Sequence, residues 1–273
     1  MYNNLSDFHL HTHFSSDSNT SPPDVIKKAK ALGLKNICFT DHNDFDYPLE
    51  DGKVVFNLDY NQYTDYMFDL KERMSHSDLS IYVGVEQGLM ESVSEKINAY
   101  DKDGRLDFII GSSHLVNGVD PYYKSFWEDI SVREAIEKYY ESIICNIRSC
   151  NNFDVYGHLD YIIRYAPNKD TDYNWKDYRE YFEIILKSLI EKGKGIEINT
   201  GGLKYGLKNP NPCVEIIKLY KELGGEIITT GSDAHMPEYI AFGYNVIPDL
   251  LLDAGFNYYT IFNKRKPEFI KLQ

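Results

Sequence analysis

Three histidines, His9, His11 and His13, alternate in the stretch Asp7-Phe8-His9-Leu10-His11-Thr12-His13. In an extended strand residues two apart project to one side, so His9 and His11, with His13 a further candidate, would converge on one spot. Imidazole is a common ligand of divalent transition metals, and the pattern points to a metal-ligand strand. A solvated surface cluster is the bland alternative, and the ligands supplied by the rest of the chain decide between the two.

The elements that would position those ligands follow from local signals. Ser21-Pro22-Pro23-Asp24 combines a cap, a first-turn proline and an early acid, which predicts a helix through Val25, Ile26, Ala29 and Leu32 to Gly33. A strand is expected over 35–40, a polar loop over 43–58 and a helix over 59–74. Strands over 79–85 and 106–110 flank a polar helix over 92–101, and an aromatic-rich loop over 115–130 is long enough to be functional. Ser131-Val132-Arg133-Glu134 is a capping box opening an amphipathic helix. Further strands are expected over 153–156, 195–199, 226–230 and 258–262. Helices should cover 175–191, the segment from Asn211-Pro212 to Gly224, and the region near Leu250. Strand and helix thus alternate about seven or eight times, which predicts a parallel α/β barrel in one domain spanning residues 1–273.

Active sites of such barrels lie at the C-terminal ends of the strands. Here the expected strands end in His9 and His11, His42, Glu86, His114, His158, and Asp233 with His235. One acid or histidine at a strand end has many structural explanations. Agreement at so many ends points to a shared metal site built from nitrogen and oxygen ligands.

Composition narrows the function classes. The 42 acidic and 29 basic residues give a formal charge of -13, which repels phosphate backbones and argues against general nucleic-acid binding. No apolar run approaches a membrane span, and the N-terminus lacks the pattern of a signal peptide, so a cytoplasmic protein is expected. Cys38, Cys145, Cys150 and Cys213 show no CxxC spacing and read as small core residues.

The motif series resembles the polymerase and histidinol phosphatase (PHP) superfamily of metal-dependent phosphoesterases. It comprises His9-Leu10-His11-Thr12 with Ser16-Asp17, Thr40-Asp41-His42, Gly84-Val85-Glu86, Ser113-His114-Leu115, Gly157-His158-Leu159-Asp160 and Ser232-Asp233-Ala234-His235. The resemblance implies a distorted (β/α)7 barrel with three divalent ions, Zn, Mn or Fe. It implies one ion on His9, His11, Glu86 and Asp233, a second on Glu86, His114 and His158, and a third on Asp17, His42 and His235. Gly111-Ser112-Ser113-His114, Asp120-Pro121-Tyr122-Tyr123, Gly157 to Arg164 and Glu197-Ile198-Asn199-Thr200 look like the histidinol-phosphate phosphatase branch.

That branch implies hydrolysis of a small phosphomonoester, L-histidinol phosphate, by a hydroxide bridging two ions. Three ions and three carboxylates would leave the pocket at about +3, opposing the global charge. Arg164 is expected to bind phosphate as a bidentate donor, with Lys204 second, and Asp233 or His235 to relay a proton to the leaving group. His13, Asp160, Tyr123 and Trp127 are candidate substrate contacts; His13 and Asp160 are equally candidates for holding metal ligands in place, and a solvated, inert His13 is the alternative to both roles. The competing expectations are a nuclease or phosphotyrosine phosphatase on the same scaffold, and a non-catalytic metal-binding protein.

Overall fold

The computed structural model describes residues 5–272. Its strands in chain order are β1 (Ser6–Leu10), β2 (Asn36–Phe39), the two-residue β3 (His42–Asn43), β4 (Ser80–Gly88), β5 (Phe108–Ser112), β6 (Val155–Tyr156), β7 (Gly195–Asn199) and β8 (Ile228–Gly231). They pair in parallel in the order β1-β2-β4-β5-β6-β7-β8, with β3 beside β4. The seam between β8 and β1 is held by single bonds rather than a ladder. The Thr230 hydroxyl donates to the Ser6 carbonyl at 2.8 Å, Asp233 N–H to the His9 carbonyl at 2.9 Å, and His11 N–H to the Ala234 carbonyl at 3.0 Å. The result is a nearly closed seven-stranded parallel barrel with helices around it, as the alternation predicts.

Two of the outer helices begin and face inward for reasons visible in their sequences. Ser21 accepts from Asp24 N–H ahead of the helix Pro22–Leu32, and Gly33 ends it in the left-handed conformation at φ 77°. Ser131 and Glu134 form a complete capping box on the helix Val132–Ser149, which buries Ala135, Ile136, Tyr139, Tyr140, Ile143 and Ile147 against the barrel. Each large apolar side chain so buried contributes about 1.5–3 kcal/mol. Three of the cysteines are buried as expected, but Cys145 is exposed because it falls on the outer face of this helix. No helix among the described residues is long and apolar enough to cross a membrane.

Two features depart from the expected elements. β4 runs on to Gly88, so Glu86 lies inside the strand rather than at its end. The chain also closes on a hairpin, β9 (Tyr258–Asn263) and β10 (Lys266–Lys271), of which only the first strand is legible in the sequence. Its two-residue turn places Lys264 at φ 50° and Arg265 at φ 63°, a conformation that usually selects Asn-Gly. Tertiary bonds hold it instead: Arg265 N–H donates to the Asp107 carbonyl at 2.9 Å and Arg265 Nε to Asp154 at 2.6 Å.

Candidate metal centre

The barrel brings every expected metal ligand to one mouth, Glu86 from within β4, Asp17 from the loop after β1 and the others from at or near strand ends. The pleat of β1 points His9 inward, and His11, just past the strand, is held on the same side by its bond to Ala234. Their Nε2 atoms stand 3.2 and 3.5 Å from Glu86 Oε2, and 3.7 and 3.4 Å from Asp233 Oδ1. Donors at about 2.0–2.1 Å from a tetrahedral ion lie roughly 3.3–3.5 Å apart, so the spacing is that of ligands around a common centre. On the other side of the same carboxylate, Glu86 Oε1 lies 3.1 Å from His114 Nε2 and 2.9 Å from His158 Nε2. A third group joins His235 Nε2 to Asp17 Oδ2 at 3.1 Å and to His42 Nε2 at 3.4 Å.

Unsatisfied atoms single out this cluster as a site for cations. His9 Nε2, His11 Nε2, His42 Nδ1 and Glu86 Oε2 are all buried without a hydrogen-bond partner. Leaving such atoms unpaired costs about 1–3 kcal/mol each, and in this position a metal ion would satisfy them. Among the described residues, His9, His11 and Glu86 and also Glu86, His114 and His158 each bring ligand atoms within 4.8 Å of one another. The donor set fits the borderline divalent ions.

Electrostatics tell the same story. Burial alone would lower His9, but Glu197, Glu86 and Asp233 hold its imidazole well above the ordinary range. Against the same burial penalty, Glu86 and Asp17 push His42 up to about 9, and Asp44 and Glu86 raise His114. Despite burial, the histidines hold Glu86 low, and His9 and Arg164 hold Asp233 low. The acids therefore stay ionised, with the positive charge drawn to where metal would otherwise sit. Asp233 is also held in the left-handed region at φ 55°, a strained conformation that Asp tolerates and that functional sites often contain.

Two supporting carboxylates escaped the sequence reading. Glu197 Oε1 lies 2.7 Å from His9 Nδ1, and Glu197 Oε2 accepts from His158 N–H at 3.1 Å. It fixes the His9 proton on Nδ1 and turns Nε2 toward the centre. A Cβ on Gly231 would lie 2.3 Å from both Glu197 Oε1 and His9 Cβ, so only glycine admits this approach. Asp44 holds His114 Nδ1 at 2.8 Å in the same manner, in space that Gly88 leaves open. One signal for Glu197 was present: a charge within the otherwise apolar strand Gly195–Asn199 demands a buried partner. Glu197→Gln is expected to weaken metal affinity about 10- to 100-fold, measured by chelator competition, and unaltered affinity would sink this role.

The remaining expected site residues divide. Arg164 is buried at the mouth, its NH1 donating to Asp233 Oδ2 at 2.7 Å, its NH2 to Asn199 Oδ1 at 2.6 Å and its Nε to Asn211 Oδ1 at 2.8 Å. Lys204 stands nearby over the Tyr239 ring at 4.2 Å, half-buried and within the fields of Asp233 and Asp17. His13 does not join the cluster. β1 ends at Leu10, the alternation lapses, and His13 is exposed against Phe14 with ring centroids 4.6 Å apart. Asp160 is also displaced from the expected role: it is buried, accepts from Cys213 N–H at 3.0 Å and from the Asn211 amide, and so braces the residue that holds Arg164. Trp127 donates to the Pro121 carbonyl at 2.8 Å outside the cavity, whereas Tyr123 lines it.

A parallel barrel that gathers six histidines and three acids at one mouth has the donor set of a metal-dependent phosphoesterase at the face where such barrels hold their active sites. The PHP domain family matches residues 7–201 of the chain. The chain belongs to the PHP family. It is 33% identical to a probable histidinol-phosphatase of Clostridium acetobutylicum, over 87% of this chain and 89% of that protein. It is 31% identical to the histidinol-phosphatase of Lactococcus lactis, over 95% of each. The crystal structure of histidinol phosphate phosphatase from L. lactis, complexed with zinc, L-histidinol and phosphate, superposes with a TM-score of 0.85 at 28% identity, covering 97% of this chain and 99% of that one.

Proposed function

We propose that the chain hydrolyses L-histidinol phosphate to L-histidinol and phosphate, with three divalent ions drawn from Zn, Mn and Fe. The observation that carries this function is the convergence of three unpartnered buried histidine nitrogens, on His9, His11 and His42, around the unpartnered Glu86 Oε2, beside a cavity of about 400 Å³, sized for a small ester. The similarity to the L. lactis enzyme, along almost the whole chain, supports the substrate.

The proposed ligand groups are His9, His11, Glu86 and Asp233, then Glu86, His114 and His158, then Asp17, His42 and His235. When bound, the ions supply Lewis acidity toward the phosphate oxygens and a nucleophile at neutral pH. The chain's own residues do the rest. Glu197 and Asp44 orient His9 and His114, while Ser112 donates to Glu86 Oε1 at 2.7 Å and limits how that carboxylate can turn. Arg164 offers phosphate the N–H groups left after its bonds to Asp233, Asn199 and Asn211, and Lys204 adds charge at the rim. Asp233 or His235, whose Oδ1 and Nδ1 are 3.7 Å apart, would relay the proton released by the attacking water to the leaving oxygen.

The test is steady-state kinetics on L-histidinol phosphate after reconstitution with Zn, Mn and Fe separately, beside a short oligonucleotide and a phosphotyrosine peptide. Histidinol phosphate is expected to give the highest kcat/KM. A preference for either comparator would overturn the substrate, and no hydrolysis at all would overturn the activity.

A further inference from the structure

Arg164 is the meeting point of two chains of hydrogen bonds that start on buried carboxylates and pass through buried amides. In the first, Cys213 N–H donates to Asp160 Oδ2 at 3.0 Å, the Asn211 amide nitrogen donates to Asp160 Oδ1, and Arg164 Nε donates to Asn211 Oδ1 at 2.8 Å. In the second, His158 N–H and the Asn199 amide nitrogen each donate to Glu197 Oε2 at 3.1 Å. Arg164 NH2 and Gly201 N–H then donate to Asn199 Oδ1 at 2.6 and 2.9 Å.

Neither amide can be turned round. A guanidinium only donates, so the Asn211 atom facing Nε must be the oxygen, and the nitrogen is left to Asp160. Asn199 is fixed in the same way, its oxygen taking two donors while its nitrogen faces Glu197. Asp233 Oδ2 accepts from NH1 at 2.7 Å, so every guanidinium nitrogen is tied once, and one N–H on each terminal nitrogen is left over for an oxyanion. Space for this arrangement comes from a pair of glycines. Gly201 and Gly202 open the helical turn Gly201–Lys204, and neither adopts a left-handed φ, so the backbone alone would accept alanine. Their surroundings would not. A Cβ on Gly202 would lie 2.5 Å from Asn211 Oδ1, and one on Gly201 would lie 2.8 Å from Asn199 Oδ1 and 3.2 Å from Arg164 NH2. Both acceptors are tied at their far ends, so neither retreats without drawing the guanidinium with it.

We propose that Asp160, acting through Asn211, and Gly202, by leaving room for that amide, are positioning residues that set the aim of the Arg164 guanidinium toward phosphate. The Asp160 carboxylate is bonded by Asn211 and Cys213 and by none of the metal ligands, so its effect on phosphate runs through Asn211. Gly202 acts on the same amide from a different element. A group displaced by about 1 Å from its productive place can cost on the order of 10²-fold, so a brace this tightly fitted has a large effect at one remove. The effect on turnover rests on the phosphomonoesterase activity and the Arg164 contact proposed above. Because the guanidinium meets phosphate before as well as during reaction, the loss falls mainly on KM and on the binding of phosphate itself.

The experiment measures KM and kcat for L-histidinol phosphate and, by calorimetry, the dissociation constant of inorganic phosphate, on metal-loaded proteins matched for metal content. Asp160→Asn sets a donor against a donor somewhere along the first chain, and is expected to raise KM and the phosphate constant at least about tenfold, with kcat changed less. Adding Asn211→Asp exchanges donor and acceptor along the chain. The amide at position 160 then donates, and the carboxylate at position 211 accepts from it and from Arg164 Nε. The exchanged pair is expected to return both constants to within about threefold of wild type, a rescue that a purely structural role for Asp160 would not produce. Gly202→Ala keeps every hydrogen-bonding group and should also raise both constants at least about tenfold. Unaltered KM and phosphate binding in either Asp160→Asn or Gly202→Ala overturn the proposal, as does an exchanged pair that stays as weak as Asp160→Asn. Should the Asp160 variants fail to fold, Gly202→Ala decides alone. If wild type hydrolyses no histidinol phosphate but phosphate binding follows this pattern across the variants, the positioning role stands and the named substrate falls.

Discussion

Glu86→Gln is expected to remove about two ions per chain and to lower phosphatase activity by at least about 10³-fold. The substitution keeps the shape of the side chain but takes away the charge on which five histidines converge. His9, His11 and His42 face Oε2 at 3.2, 3.5 and 2.9 Å, and His114 and His158 face Oε1 at 3.1 and 2.9 Å. A single misplaced transition-state donor already costs about 10²–10³ in kcat, and Glu86 serves two ligand groups at once. Metal content by mass spectrometry and activity on the same preparation decide the matter. A variant that kept full metal content and full activity would remove Glu86 from its bridging position.

Arg164→Ala should be the most damaging change outside the ligand set. Burial opposes the charge on the guanidinium, but Asp233 beside it holds that charge in place. Truncation leaves Asp233, Asn199 and Asn211 without their shared donor, and breaking a buried pair costs about 3–5 kcal/mol. For a chain of this size that lowers the melting temperature of the metal-free protein by on the order of 10 °C. Two further readouts separate bracing from phosphate binding. If Arg164 also contacts phosphate, KM for the ester and the inhibition constant of inorganic phosphate both rise at least about tenfold. Lysine should rescue little, because one ammonium cannot span three acceptors lying in different directions. Unaltered KM and phosphate inhibition would leave Arg164 with only the bracing role.

The metal site was more legible in the sequence than the pocket beside it. Ligands at strand ends announce themselves because a barrel directs successive strand ends to one mouth, so His9, His11, His42, His114, His158, Asp233 and His235 could be gathered without coordinates. Residues whose role arises between elements gave no such signal. Asp44 reads as one more acid in a polar loop, yet it reaches His114 across space left by Gly88. Asp160 follows His158 closely enough to suggest the site, but its side chain turns toward Asn211 and Cys213. Glu50, beside Tyr47 in one loop, is 73 positions from Tyr123 in another, and only the folded cavity sets them side by side. The second strand of the closing hairpin was missed because Lys264-Arg265 carries none of the usual turn residues.

The seam between β1 and β8 gives the metal centre a part in the folding of the chain. Its partners are the first and the last strand of the barrel, with Ser6 and Thr230 separated by 224 positions. Such contacts form late, since the ends of a long loop must meet before any bond rewards them, and until then two strand edges stay open to other chains. His9 and His11 lie on one side of that seam and Asp233 and His235 on the other. An ion held by residues of both sides would bind the closed barrel and not the open one, and would shift the equilibrium toward closure as its free concentration rises. Metal supply would then govern how much of the newly made chain escapes aggregation, as well as how much of it is active.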